Sequence, residues 1–170
     1  MTRDANYSCF LGAEGWEHAH WLTRFYPDDL PPEWRLTFYS NFFNCTSLGY
    51  SAWGEAPLEE LERWIRDTGE SFRLALEAPQ RDLTAQDKTR LDILRPRIGL
   101  MCNQSGQTLA TPWSGDGERV HLTGPTDLKL LAGKLQADAS FPHPLYLIVS
   151  DANISELEKL KTLLSLLGLA

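Results

Sequence analysis

Apolar residues along the chain follow two alternating periods. Short apolar runs bounded by glycine or proline alternate with longer stretches in which apolar residues recur every three or four positions. The run Tyr7-Ser8-Cys9-Phe10-Leu11-Gly12 predicts a first strand closing on a glycine turn. Pro27, Pro31 and Pro32 then stop regular structure. Pro32 suits the first position of a helix, where its missing N–H would be unpaired anyway, and that helix is predicted to reach about Phe43. Leu36, Tyr39 and Phe43 form one stripe on it, and Trp34, Phe38 and Phe42 form a second. Two stripes predict burial on more than one side. Asn44 to Leu48 reads as a second strand, followed by a loop carrying Tyr50, Trp53 and Gly54. Pro57 opens the next helix, with Leu58, Leu61, Trp64 and Ile65 inward and Gly69 at its end. Phe72 to Glu77 is a third strand, stopped by Pro79.

The alternation continues. Thr84 and Asp87 resemble a capping box on a helix that ends before Pro96. Ile98 to Cys102 is a fourth strand. The polar stretch from Asn103 to Arg119 is either a hairpin around Leu109 or a long loop. Val120-His121-Leu122 is a fifth strand, and Leu128, Leu131 and Leu135 mark one face of a helix. Leu145 to Val149 is nearly continuous and β-rich, the signature of a strand covered on both faces. Ser155 and Glu158 read as a capping box for a last helix with a Leu157, Leu160, Leu164, Leu167 stripe, ended by Gly168. Crossovers of this length allow parallel pairing, and right-handed connection then follows. The fold class is α/β: alternating βα units with a mainly parallel sheet. No repeat or low-complexity linker interrupts it, so residues 1–170 read as one domain.

Composition narrows the class. A chain of 170 residues supports one core but falls short of the ~250 residues of a full eight-unit barrel. The net charge of −7 repels phosphate backbones, so no nucleic-acid partner is expected; Arg90, Arg95 and Arg97 are the one basic cluster. No apolar run is long enough to span a membrane, and the first residues lack the apolar segment of a secretory signal. Cys9, Cys45 and Cys102 form no CxxC pair, which predicts reduced core thiols in a cytoplasmic protein.

Candidate chemistry is sparse. Neither a glycine-rich nucleotide loop nor a nucleophile elbow is present, and no cofactor is expected. His18 and His20, beside Glu14 and Glu17, are the weak metal candidates, but no third ligand stands at a telling spacing, so no metal is expected. Glu14 and Glu77 follow strands one and three and reach the same rim of a parallel sheet, where ligands enter such folds. They are the weak catalytic candidates. Asp151 has the equivalent place after the Leu145–Val149 strand, in ordinary turn chemistry. Trp16, Trp21, Tyr26, Tyr50 and Trp53 all fall after strands one and two. They either line a ligand pocket or partner surface or plug the mouth of the fold.

The run Phe10-Leu11-Gly12-Ala13-Glu14-Gly15-Trp16, then Trp21, then Phe25-Tyr26-Pro27-Asp28-Asp29-Leu30-Pro31 resembles the opening of the YecE-like family, also called domain of unknown function seventy-two. Tyr39 with Phe43, Trp64, and Phe72 through Pro79 match later landmarks, so the resemblance covers about residues 10–84. It implies a TIM-like barrel, here truncated or rebuilt. Where the family carries Val-Glu-Ile-Asn, this chain has Thr46, Ser47, Leu48 and Gly49. Where the family has Lys-Ala-Pro and a His after the threonine near Thr84, this chain has Glu77-Ala78-Pro79 and Ala85. The resemblance thus implies a rim that has lost polar groups. The expected function is non-catalytic binding of an unknown small molecule or protein, and the alternative is a small-molecule enzyme using the rim carboxylates. An edge left open by a shortened sheet must be paired or covered, which points to a homodimer.

Overall fold

The computed structural model describes residues 9–137 and 143–169; Tyr7 and Ser8 of the first predicted strand lie outside them. Among the described residues there are six strands, β1 (Cys9–Ala13), β2 (Cys45–Leu48), β3 (Arg73–Glu77), β4 (Ile98–Cys102), β5 (Glu118–Leu122) and β6 (Leu145–Val149), and six helices, with two helices between β2 and β3 and none between β4 and β5. The helices are α1 (Arg35–Phe42), α2 (Tyr50–Gly54), α3 (Leu58–Asp67), α4 (Ala85–Leu94), α5 (Leu128–Ala137) and α6 (Ile154–Leu167). All ladders are parallel and fall into two sheets, ordered β1-β6-β5 and β2-β3-β4.

The ladder breaks between β1 and β2, and there side chains replace it. Leu11 N donates to Asn44 Oδ1 at 2.8 Å, and Ala13 N donates to the Tyr39 hydroxyl at 2.9 Å. That hydroxyl donates in turn to Cys45 O at 2.8 Å, and Thr46 Oγ1 donates to Ala13 O at 2.9 Å. Backbone pairing resumes at the Glu14–Ser47 bridge, with Gly15 N donating to Ser47 O at 2.9 Å. Gly12 makes room for this arrangement: a Cβ there would fall 1.8 Å from Cys45 O and 2.6 Å from the Tyr39 hydroxyl.

A second break lies between β4 and β5. Segment 103–117 takes up the exposed edge of β4: Leu109 N donates to Met101 O at 2.8 Å and Gly115 N to Gly99 O at 3.0 Å. Ser114 Oγ accepts from Met101 N at 3.0 Å. The segment hooks back through one antiparallel bridge, Cys102–Thr108, and otherwise runs irregularly. This edge is therefore covered from within the chain.

Several local expectations are corrected. The residues after β2 form a helix, α2, instead of a loop. The last helix is capped by Asn153, whose side chain accepts from Glu156 N, not by Ser155 with Glu158, because the helix begins two residues earlier, after a turn through Ala152 at φ 52. The Thr84–Asp87 capping box forms as read. On α1 only one aromatic stripe is buried: Leu36, Tyr39 and Phe43 enter the core, while Trp34 is 62% and Phe42 44% exposed. The outer stripe is saturated locally instead, with Phe38 5.0 Å from Phe42 and the Lys161 ammonium 5.5 Å from the Phe42 ring.

Candidate functional site

Strand residues alternate between two faces, so each strand contributes to two layers. One face packs under the helices: Leu11, Ala13, Leu48, Leu74, Leu76, Met101, Leu147 and Val149 belong to a large core with Trp21, Trp53 and Leu157. The opposite face encloses a small second core of Phe10, Cys45, Ala75, Leu100, Cys102, Tyr146 and Ile148. Phe10 and Tyr146 stack there at 4.8 Å.

Two residues further along the inward face, the chemistry changes. After Phe10 and Gly12 comes Glu14; after Cys45 comes Ser47; after Ala75 comes Glu77; after Ile148 comes Ser150. In β5, Arg119 pairs in register with Tyr146 and His121 with Ile148, so both share this inward face. The strands are parallel, so Glu14, Ser47, Glu77 and Ser150 gather at one rim, the C-terminal one, and Arg119 and His121 start lower on β5 and meet them through their side chains.

They touch. The Arg119 guanidinium donates through Nη1 to Ser47 Oγ at 3.3 Å and to Glu77 Oε2 at 3.5 Å. Its side chain is only 3% exposed, and Nε has no hydrogen-bond partner among the described residues. His121 Nδ1 lies 2.8 Å from Ser150 Oγ and 3.5 Å from Glu14 Oε1. Burial holds the His121 imidazole below its ordinary value; Arg119 adds to this, while Glu14 and Glu77 pull the other way. Ser47, paired with Glu14 and bonded to Arg119, links the two clusters. The two weak catalytic candidates, Glu14 and Glu77, are thereby brought to one rim, each facing a β5 side chain.

Beside the rim, a cleft of about 240 Å³ opens between Trp16, Trp64 and Leu48, with Glu14 as a shared lip. Its other walls carry Glu17, Glu33, Glu60 and Asp67. Arg63 stands 3.9 Å from Glu60 and 4.0 Å from Asp67, and Arg35 pairs with Glu17.

The five aromatic candidates do not form a common surface. Trp21 and Trp53 are fully buried, and Trp16 and Tyr26 nearly so. Their polar tips are spent inside: Trp21 Nε1 donates to Ala152 O at 2.7 Å, Trp53 Nε1 to Glu77 O at 2.9 Å, and the Tyr26 hydroxyl to Trp16 O at 2.6 Å. Tyr50 points away, to Asp87 at 2.8 Å and Arg81 at 2.6 Å. Burial works against the charge of Asp87, yet hydrogen bonds from Arg81, Thr84 and Tyr50 outweigh it and hold that carboxyl well below the usual range. Of the five, Trp16 alone lines the cleft. The aromatic group is a core because each ring has a buried acceptor or a ring partner; Trp21 stacks on Tyr39 at 5.8 Å.

His18 and His20, the weak metal candidates, have centroids 5.6 Å apart and serve packing. His18 lies against Trp21 at 4.4 Å, and His20 Nε2 sits 3.1 Å from Ala152 O. Among the described residues no group of three His, Cys, Asp or Glu side chains is arranged to hold a metal. Asp151 lies beside the N-terminus of α6, where its carboxylate accepts from Asn153 N at 3.3 Å, the turn role read from sequence.

Arg119 and His121 were missed because no motif surrounds them. A signal was present: Arg119-Val120-His121-Leu122 alternates polar and apolar, which marks a strand with one polar face. The side of the sheet that face would meet was not legible locally.

Parallel βα units around a small enclosed core, with polar groups at the strand C-terminal ends, define an α/β protein of the TIM-barrel type. Residues 10–111, more than half of the chain, match the family model described as Protein of unknown function DUF72, and the chain belongs to that family. A solved DUF72 family protein of Thermotoga maritima is similar in fold, with a TM-score of 0.58 at 12% identity over 91% of this chain and 98% of that one. No curated protein matches the chain. Among the described residues no helix is long and apolar enough to cross a membrane.

Proposed function

We propose that this chain is a small-molecule-binding protein whose ligand seats at the C-terminal rim, on Glu14, Glu77, Arg119 and His121. One observation carries this reading: the inward face changes from apolar to polar toward the C-terminal ends of β1, β2, β3 and β6, and β5 contributes a guanidinium and an imidazole that contact those polar groups. Structural packing alone has no use for ionisable groups there, since burying charge costs free energy that apolar side chains avoid. Fold-level analogy points to the same end, where barrel proteins keep their sites. The motif order along residues 10–84 further supports the YecE-like branch, and three buried free thiols support a reducing, cytoplasmic setting.

A screen of polar metabolites by thermal shift tests the binding reading. The expected outcome is at least one compound whose stabilisation disappears in a Glu77→Gln, His121→Asn double variant. Hits that stabilise the double variant equally overturn it.

A catalytic second reading rests on His121 itself: an imidazole whose burial favours the neutral form, standing beside Glu14, can accept a proton. Turnover of a bound compound that His121→Asn abolishes without weakening binding would establish it.

A further inference from the structure

The cleft beside the rim has an apolar floor and a charged mouth, and the two together describe an occupant. Gly15, at φ 71, turns the chain out of β1, and Trp16 lies edge to face on Trp64 at 5.1 Å. On α3, Glu60, Trp64 and Asp67 recur at i, i+4 and i+7, so one helix face carries an indole between two carboxylates. Buried Leu36 and Leu48 complete the floor. Glu14 and Glu17 follow β1 and Glu33 precedes α1, so carboxylates reach the mouth from three separate segments. They are neutralised only in part. Arg35 pairs with Glu17. Arg63 stands 3.9 Å from Glu60 and 4.0 Å from Asp67, too far for a hydrogen bond to either. Among the described residues, Glu33 has no ion-pair partner, and Glu14 has only His121, at 3.5 Å. A bare metal ion would gain nothing from indoles and leucines, and an anion would be repelled at the mouth. A neutral hydrocarbon would suit the floor and leave the carboxylates unanswered. The volume of about 240 Å³ lies below the ~300–1,000 Å³ of drug-sized sites, so the occupant is small.

We infer that this cleft binds a small primary amine as its ammonium ion, with the hydrocarbon body on Trp16 and Trp64 and the charge among Glu14, Glu33 and Glu60. Two attractions act together. The hydrocarbon leaves water against the indoles, and an ammonium close to an indole face is drawn to its negative π cloud, which is strongest in Trp. The carboxylates supply the complementary charge that selects an amine over a neutral compound of the same shape. Access is open, since Glu14 is 50%, Glu17 51% and Glu60 40% exposed. This site stands apart from the rim reading above: it shares Glu14 with the rim, and Glu77, Arg119 and His121 do not line it.

The test uses the full chain and two probes, phenethylamine and butylamine, each compared with the alcohol of the same size. Binding is read from the indole N–H resonances during nuclear magnetic resonance titrations. At least one amine should move the resonances of Trp16 and Trp64 and leave that of Trp113, outside the cleft, in place. Its alcohol should bind at least about tenfold more weakly. Glu33→Gln with Glu60→Gln should weaken the amine by about the same factor and leave the alcohol unchanged. Added salt should weaken the amine and not the alcohol, a check on the unaltered chain that needs no variant. Equal affinity for amine and alcohol overturns the proposal, as does an amine indifferent to both substitutions. So does the silence of both indoles. The rim variant, Glu77→Gln with His121→Asn, should still bind the amine in the cleft. An amine that this variant loses, and that shifts His121 in place of the indoles, overturns the cleft and leaves the rim reading standing. A dimer that the amines dissociate overturns the small ligand in favour of a cationic side chain from a second copy.

Discussion

The two breaks in the strand ladder are closed by opposite means. Between β1 and β2 the gap is narrow and is stitched by buried side chains, with the Tyr39 hydroxyl relaying a hydrogen bond from Ala13 to Cys45. Between β4 and β5 the gap is wide and is bridged by the polar segment 103–117, over which Gly106 approaches the Arg119 guanidinium. The first seam is dry, aromatic and fixed by a few atoms. The second is polar, partly exposed and adjacent to the ionisable rim. The proposed site falls beside the second seam and not the first, because a site needs access and polar groups not already paired, and a core tolerates neither.

Removing the Tyr39 side chain should have the largest effect on this contrast. Tyr39→Ala should cost ~3–5 kcal/mol, as for other large buried rings, measured by urea unfolding. Tyr39→Phe isolates the hydroxyl. It leaves Ala13 N and Cys45 O without their partner in the core, so ~2 kcal/mol should be lost; a neutral result would mean the seam does not depend on that relay. The β4–β5 break should respond less. Gly115→Ala would bring a Cβ within 2.6 Å of Gly99 O, and a shift of the loop should limit the loss to ~1–2 kcal/mol. Native-state hydrogen exchange sharpens the comparison: the Ala13 amide should exchange near the global limit and the Leu109 amide well below that protection. Equal protection would erase the distinction.

Arg119→Met should cost ~1 kcal/mol, since it removes a buried charge but leaves Ser47 and Glu77 without their donor, and Glu77, 25% exposed, regains water. A collapse of stability in that variant would make Arg119 a structural strut. The smallest effect is a pH trend. Burial holds His18 and His121 below the ordinary imidazole value. The unfolded chain therefore takes up protons first as pH falls, so the stability both contribute is complete above ~6.5 and is lost as pH falls through their depressed values. Unfolding midpoints should decline below ~6.5, and His121→Asn should flatten part of the slope; midpoints that rise there contradict the assignment.

Much of the fold was legible in short-range pattern. The strand after Pro144, the Thr84–Asp87 cap and the leucine stripe of α6 follow from residues within a few positions of one another. The five aromatic residues were harder, because a ring after a strand reads equally as a pocket wall or as a core. Trp21 became core through Ala152, which lies far along the chain. The rim was half legible: Glu14 and Glu77 stood at strand ends, whereas Arg119 and His121 gained meaning only when β5 docked beside β6.

Periodicity and turn residues determined by themselves that this chain forms alternating βα units with parallel strands, since side-chain direction and crossover length are local properties. Which strands became neighbours, which face turned inward, and that a guanidinium from β5 meets a serine from β2 were decided by tertiary packing. Those outcomes depend on burial summed over residues far apart in sequence, where no local preference reaches.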